Sequence, residues 1–405
     1  MHGSLASFCK RSILMRFVLI GIAGCGVFNV RAQQPLVAIR LDGPVDAATV
    51  SPDGRYVAAT ILNAAQKADG SWDYAESIQV YDPASSKIIS RTDIPSVALV
   101  KDGSLFGEAF IGYCNNGKYL VAYDKIGTLY VLNATSYQLE SRVSIGDMRL
   151  HVGGDQALRV MMTCSANSNL IAINGYGGRF GSGLVRLFDL TSGGQVAERH
   201  QDPTSEETIG AISISPNGSK LAILHRNTKW KKINDPTKGP NVEICETKHL
   251  STLSQFSTGD PPDDLTFSGE SEIATVQGQK TARFASRRVI QLWNVESGKE
   301  ELRFSDAHRD VIGAISSSAD GAVILGYIPT YHDCALCNGL EGSHDLKEQR
   351  FAVWNKNTGA QVFRSDSFGP NVDPISPSLV LSQNGVVVMV YWHAMSFTPQ
   401  IFPIR

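Results

Sequence analysis

The sequence predicts an all-β ring of repeated four-stranded units, expected to number seven. Three observations carry that expectation. A turn signal of the form Ser-Pro-Asp-Gly or Asn-Gly recurs along the chain, each time followed by a short apolar run. A second hairpin follows in most repeats, its first strand ending in an aromatic or aliphatic residue plus a small polar one. Charged residues make up only 19% of the 405 positions while glycine reaches 37, which favours strands and turns over helices.

The first hairpins are marked by Ser51-Pro52-Asp53-Gly54, Asn115-Asn116-Gly117, Ser215-Pro216-Asn217-Gly218, Ala319-Asp320-Gly321 and Gln383-Asn384-Gly385. Degenerate versions stand at Ser168-Asn169 and Gly269-Glu270, which completes seven. Asn-Gly and Asp-Gly suit primed turns, whose central residues need positive φ. The second hairpins follow Val80-Tyr81-Asp82, Val131-Leu132-Asn133, Leu187-Phe188-Asp189, Leu292-Trp293-Asn294 and Val353-Trp354-Asn355. Four strands per repeat is the unit of a β-propeller blade. The last repeat runs out after Val386–Trp392 and one more strand within Thr398–Arg405. Its outer strand is expected from Gln34–Gly43, so that the N-terminal strand closes the ring and removes an open sheet edge.

Asp306-Ala307-His308-Arg309-Asp310, followed by Ala314–Gly321, resembles the start of a WD repeat. Val289-Ile290-Gln291-Leu292-Trp293-Asn294 resembles the end of one. The likeness to WD-repeat-like seven-bladed propellers, in an exported bacterial form, covers nearly all of residues 35–405. Its motifs are degenerate: Trp-Asn replaces Trp-Asp, and His308 stands where the family places a structural His. The resemblance implies a fold. Similar bacterial propellers include lactonase-like proteins as well as purely structural ones, so it does not choose an activity.

Residues 1–32 read as a signal peptide and 33–405 as one propeller domain. Lys10, Arg11 and Arg16 form a basic leader, Phe17–Val30 is apolar, and Val30-Arg31-Ala32 resembles a cleavage site. Ile22-Ala23-Gly24-Cys25 also resembles a lipobox, so attachment to a membrane is expected only through a lipidated Cys25 or an uncleaved leader. Either route places the body outside the cytoplasm, periplasmic or secreted. The chain's net charge is −2; less Lys10, Arg11, Arg16 and Arg31, the body carries −6. That argues against a nucleic-acid partner, which calls for a basic domain. Cys114, Cys164 and Cys245 fall in strand-like runs and read as small buried hydrophobes.

Repeats of this length exceed a minimal WD repeat, and the excess lies largely between the second and third strands of the blades. The segments are Asn63–Ser77, Asn174–Gly183, His225–Asn241, Gln277–Arg288 and Pro329–Arg350. Antiparallel alternation puts them all on one face, where insertions collect at binding surfaces; loop growth without function also costs little. Two of them, in neighbouring blades, carry Arg226, Lys229, Trp230, Lys231 and Lys232, then Lys280, Arg283, Arg287 and Arg288. This is a candidate basic patch for a protein or other anionic ligand, weighed against a merely solvated loop. Cys334 and Cys337 are expected to form a local disulfide in an oxidising compartment; no metal is expected there, although two Cys with His332 and His344 offer a zinc-like set.

The chain shows no Gly-x-Ser-x-Gly elbow, no phosphate-binding Gly-Lys-Ser/Thr loop and no His-Glu-x-x-His. Gly175–Gly183 is glycine-rich but opens no helix. The expected function is therefore a monomeric, non-enzymatic binding scaffold without a cofactor. The alternative is a lactonase-like hydrolase at the channel mouth, using His225, His332 and Asp333.

Overall fold

The computed structural model describes residues 37–38, 41, 43–66, 72–94, 110–124, 127–145, 160–175, 184–200, 207–227, 240–259, 262–279, 287–306, 312–331, 346–368, 378–391 and 399–404. The expected fold is borne out: an all-β, seven-bladed propeller of four-stranded antiparallel blades. Strand β1 is Val37–Ala38. Blade 1 follows as β2 (Val45–Val50), β3 (Val57–Gln66), β4 (Trp72–Asp82) and β5 (Lys87–Ile94). Blade 2 is β6 (Phe110–Cys114), β7 (Tyr119–Tyr123), β8 (Thr128–Asn133) and β9 (Leu139–Ser144). Blade 3 is β10 (Val160–Cys164), β11 (Leu170–Gly175), β12 (Leu184–Asp189) and β13 (Gln195–His200). Blade 4 is β14 (Glu207–Ile214), β15 (Lys220–Asn227), β16 (Val242–Glu246) and β17 (Thr252–Phe256). Blade 5 is β18 (Asp264–Phe267), β19 (Glu272–Gln279), β20 (Arg287–Asn294) and β21 (Glu300–Phe304). Blade 6 is β22 (Ile315–Ser317), β23 (Val323–Tyr331), β24 (Leu346–Asn355) and β25 (Gln361–Arg364). Blade 7 is β26 (Ser378–Leu381), β27 (Val387–Tyr391) and β28 (Gln400–Pro403), with β1 as its fourth strand.

The ring closes where the sequence places the closure, with Val37 opposite Ile401 and Ala38 opposite Gln400. Among the described residues of the segment 34–43, these two make the pairing. Between the blades lie seven apolar clusters among the described residues, one per seam. Blades bury their faces against one another, and this burial is the main stabilising term. Six seams carry at least one aromatic ring, such as Phe188 between blades 2 and 3, Trp293 between 4 and 5, and Trp354 between 5 and 6. The apolar cluster between blades 3 and 4 has no aromatic ring among its described residues.

The turns joining first to second and third to fourth strands lie on one face, here the turn face. The second-to-third connections and the links between blades lie on the other, the loop face. Four of the turns share one construction. Buried Ser51, Ser215, Ser318 and Ser382 each accept a bond from the main-chain nitrogen five residues on, at 2.9, 3.0, 3.2 and 3.0 Å. Each hydroxyl also donates to Asp53, Asn217, Asp320 or Asn384. In these turns the glycine alone has positive φ, and its nitrogen bonds back to the serine carbonyl. This corrects the primed-turn expectation: the two residues before the glycine are ordinary right-handed, as Pro52 requires. The primed form occurs in blade 2, where Asn116 and Gly117 have φ of 50° and 76° and Lys118 nitrogen bonds to Asn115 carbonyl at 2.9 Å.

A second correction concerns the cysteines. Cys114 and Cys164 form a disulfide, with Cα atoms 5.4 Å apart, across the seam between blades 2 and 3. Both end the innermost strands of adjacent blades, which brings residues 50 apart in sequence side by side. Cys245 remains a free, buried thiol, as its strand position suggested.

Gly321 tests the tightness of this face. Its φ is 66°, and a Cβ there would collide with the Ser268 carbonyl of blade 5. Gly321→Ala is expected to cost about 3 kcal/mol, through a strained φ and displaced backbone. A chemical-denaturation midpoint within error of wild type would refute that tight contact. Truncation through Ala38 is expected to lower the Tm, since it exposes the β28 edge; an unchanged Tm would show that the pairing contributes nothing.

Candidate functional site

The basic residues picked out from the sequence occupy the loop face, so far as their positions are described. Arg226 lies in β15, opposite Thr208. Arg287 and Arg288 lie in β20, opposite Gln279 and Gly278. The two strands belong to adjacent blades, and both ends meet the loop face. Lys229, Trp230, Lys231, Lys232, Lys280 and Arg283 lie outside the described residues, as do Cys334, Cys337, His332 and Asp333 and the segment 1–32. Backbone placement therefore brings the roots of both basic segments together on one face.

At the root of the first segment sits a polar cluster that sequence reading missed. Glu243 on β16 is 1% exposed, enclosed in the seam between blades 3 and 4. Its Oε1 accepts a bond from Arg199 Nη1 at 2.8 Å and another from the Thr252 hydroxyl. Its Oε2 meets His225 Nε2 at 3.0 Å. Arg199 Nη1 also reaches Cys245 Sγ at 3.2 Å. The cluster joins five residues on four strands: β13 of blade 3, and β15, β16 and β17 of blade 4. Strand alternation aims them there. Ile223, opposite Glu243, packs in the aliphatic seam, so Glu243 shares that side. Arg199 is opposite Val185, which lies in the same seam.

Burial alone would push the Glu243 carboxyl up, but bonds from His225, Arg199 and Thr252 and the Arg199 charge outweigh it and hold it well below the usual range. The carboxylate stays ionised inside the fold. The Cys245 thiol is pushed up to about 12, chiefly by burial and then by the Glu243 charge. At neutral pH it is a thiol, which is a poor nucleophile. Of the residues named for hydrolysis, His225 is the one described here, and its ring serves the Glu243 bond.

The sequence held one signal for this cluster. The residue before the small polar position at the end of the third strand is Tyr81, Leu132, Phe188, Trp293 and Trp354 in blades 1, 2, 3, 5 and 6; in blade 4 it is Cys245. The missing bulk is where the Arg199 guanidinium reaches in. Among the described residues no group of three or more His, Cys, Asp or Glu has the arrangement to hold a metal ion.

Comparison with known proteins supports the fold and stops there. No family model matches the chain, and no curated protein matches it. Among solved structures it is similar to a chain of the "Crystal Structure of Mitotic Checkpoint Complex", with a TM-score of 0.52 and 11% identity over 98% of this chain and 99% of that one. This chain is a β-propeller. At that identity the likeness carries architecture and no chemistry.

Removing the Arg199 guanidinium leaves a buried charge short of its counter-ion. Because Arg199 is itself 36% exposed, Arg199→Ala is expected to cost about 2 kcal/mol, less than for a fully buried pair. Glu243 has a depressed folded value, so its contribution is complete above the ordinary glutamate range, near pH 4.3, and is lost as pH falls below it. Glu243→Gln is therefore expected to flatten the loss of stability between about pH 5 and pH 2. Parallel acid limbs for both proteins in denaturant titrations would sink this assignment.

Proposed function

We propose that this propeller is a non-enzymatic scaffold acting outside the cytoplasm, which takes a protein or other anionic partner on its loop face. One contrast carries the reading. On the turn face, main-chain groups are used up between blades. Asn115 nitrogen bonds to Ser165 carbonyl at 3.0 Å, Asn167 to Pro216 at 2.7 Å, Ala319 to Gln383 at 2.8 Å and Asn384 to Pro52 at 3.3 Å. Asn217 nitrogen bonds to Glu270 Oε1 at 2.7 Å. Gln383 Nε2 reaches from blade 7 past blade 1 to the Tyr113 carbonyl of blade 2, at 2.8 Å. A face bonded to itself in this way leaves little backbone for a partner. The long segments are all rooted on the opposite face, where binding residues on a rigid scaffold are commonly placed.

Charge favours an anionic partner. Arg226, Arg287 and Arg288 root the two segments, with Lys229, Lys231, Lys232, Lys280 and Arg283 between, and Trp230 supplies an aromatic anchor. Export is supported by the leader and by the Cys114–Cys164 disulfide, since such bonds persist in oxidising compartments.

An affinity pull-down with wild type and with Lys229, Lys231, Lys232, Arg287 and Arg288 changed to Glu tests the surface. The reversed protein is expected to lose its partner, with weaker capture by wild type at high salt. Identical captured partners would remove the loop-face proposal. For export, N-terminal sequencing of the mature protein is expected to begin at Gln33, or to be blocked at a lipidated Cys25. Protein retained in the cytoplasm with Met1 or His2 at its start would overturn it.

A further inference from the structure

The disulfide stands at a position where other blades use a serine. Aligning the turns puts Ser51, Cys114, Ser165, Ser215, Ser268, Ser318 and Ser382 at one place in blades 1 to 7. In four of them the serine side chain is the fastener of its own turn, bonding the nitrogen five residues on. In blade 3, Ser165 Oγ donates across its seam to Pro216 carbonyl at 2.6 Å. Blade 2 differs twice over. Its primed turn closes on main-chain bonds alone, with Cys114 paired to Tyr119 in the regular ladder. The side chain at 114 is therefore released from capping and free to serve another purpose. That purpose is the covalent link to Cys164, beside Ser165, reinforced by Asn115 and Asn116 nitrogens bonding to the carbonyls of Ser165 and Ala166.

We propose that blade 2 has exchanged the serine fastener for an oxidation-dependent one, so that the seam between blades 2 and 3 on the turn face is tight when Cys114 and Cys164 are oxidised and loose when they are reduced. The two cysteines differ in access: Cys114 is fully buried and Cys164 is partly buried. A dithiol reductant attacks Cys164 Sγ and releases Cys114 as a thiolate, which takes up a proton. The mixed disulfide then resolves on the reductant's second thiol, freeing the Cys164 thiol. Two electrons and two protons pass to the protein, and the reductant leaves as its own disulfide. Cys245 takes no part: it lies buried in the next seam, bonded to Arg199 and protonated at neutral pH.

Breaking a cross-link that closes a 50-residue loop releases the unfolded chain and should lower the Tm by about 5 °C. The experiment compares the air-oxidised protein with the same protein held in dithiothreitol, by thermal melting and by hydrogen exchange of peptides covering 110–118 and 160–168. The result expected is a lower Tm and about tenfold faster exchange in those two peptides on reduction, with the blade 5 peptide 264–275 unchanged. Cys114→Ser combined with Cys164→Ser should match the reduced protein and lose its response to dithiothreitol. Alkylation mapping that finds both thiols free in the oxidised protein overturns the proposal. So does identical melting and exchange of the two redox forms, or a dithiothreitol response that persists in the double variant, which would belong to Cys334 and Cys337. Should the double variant fail to fold, the wild-type comparison still decides.

Discussion

Each blade in this ring can bury its two faces only against its neighbours, so the seam between blades is the unit on which everything else rests. A blade on its own is a small twisted sheet with apolar residues on both sides, and it has no third layer to cover them. The apolar clusters accordingly fall between blades and not within them. A defect in one seam is shared by two sheets. This is why side chains that look minor in a single blade, such as Ser51, Ser215, Ser318 and Ser382, sit buried and hydrogen-bonded.

Two adjoining seams add something to apolar packing, and the second of them also lacks the aromatic ring. Between blades 2 and 3 the apolar cluster is supplemented by a covalent bond. Between blades 3 and 4 aliphatic packing surrounds an ionised Glu243 with its Arg199, His225 and Thr252 partners. Buried ion pairs return little net stability, because desolvation cancels much of the attraction. What they impose is direction, since a guanidinium and a carboxylate bond well in few geometries. Glu243 and His225 flank the segment 226–241 on its two sides, so the strands that launch it are held in register by this geometry. Blade 3 thus has unlike fasteners on its two sides.

The architecture was legible because its signals are local. Ser-Pro-Asp-Gly and its variants reveal a hairpin within four residues, and seven hairpins at similar spacing leave few folds to choose from. The closing strand was legible from the incomplete last repeat. The disulfide was not, because Cys114 and Cys164 lie in separate apolar runs and meet only once blades are arranged around an axis. Glu243 was hidden for a similar reason. A lone acid in a strand reads as solvent-facing by alternation, yet Val242, Glu243 and Ile244 are all buried, and Arg199 comes from another blade. The turn types were misread because Asn-Gly and Asp-Gly serve two hairpin geometries, which Pro52 and Pro216 distinguish in two of the turns and nothing marks in the others.

The strand Val37–Ala38 completes a sheet whose other three strands end at Pro403. Chains are synthesised from the N-terminus, so the strand that seals the ring is made before the other strands and waits for its partner until nearly all of them have followed. Until then the growing chain is an open arc with an unpaired edge at each end. The blades in between acquire their neighbours in order, and the last seams to form are those that blade 7 makes with blades 6 and 1. Closure therefore reports that translation has reached the last blade, and an interrupted chain keeps its exposed edges.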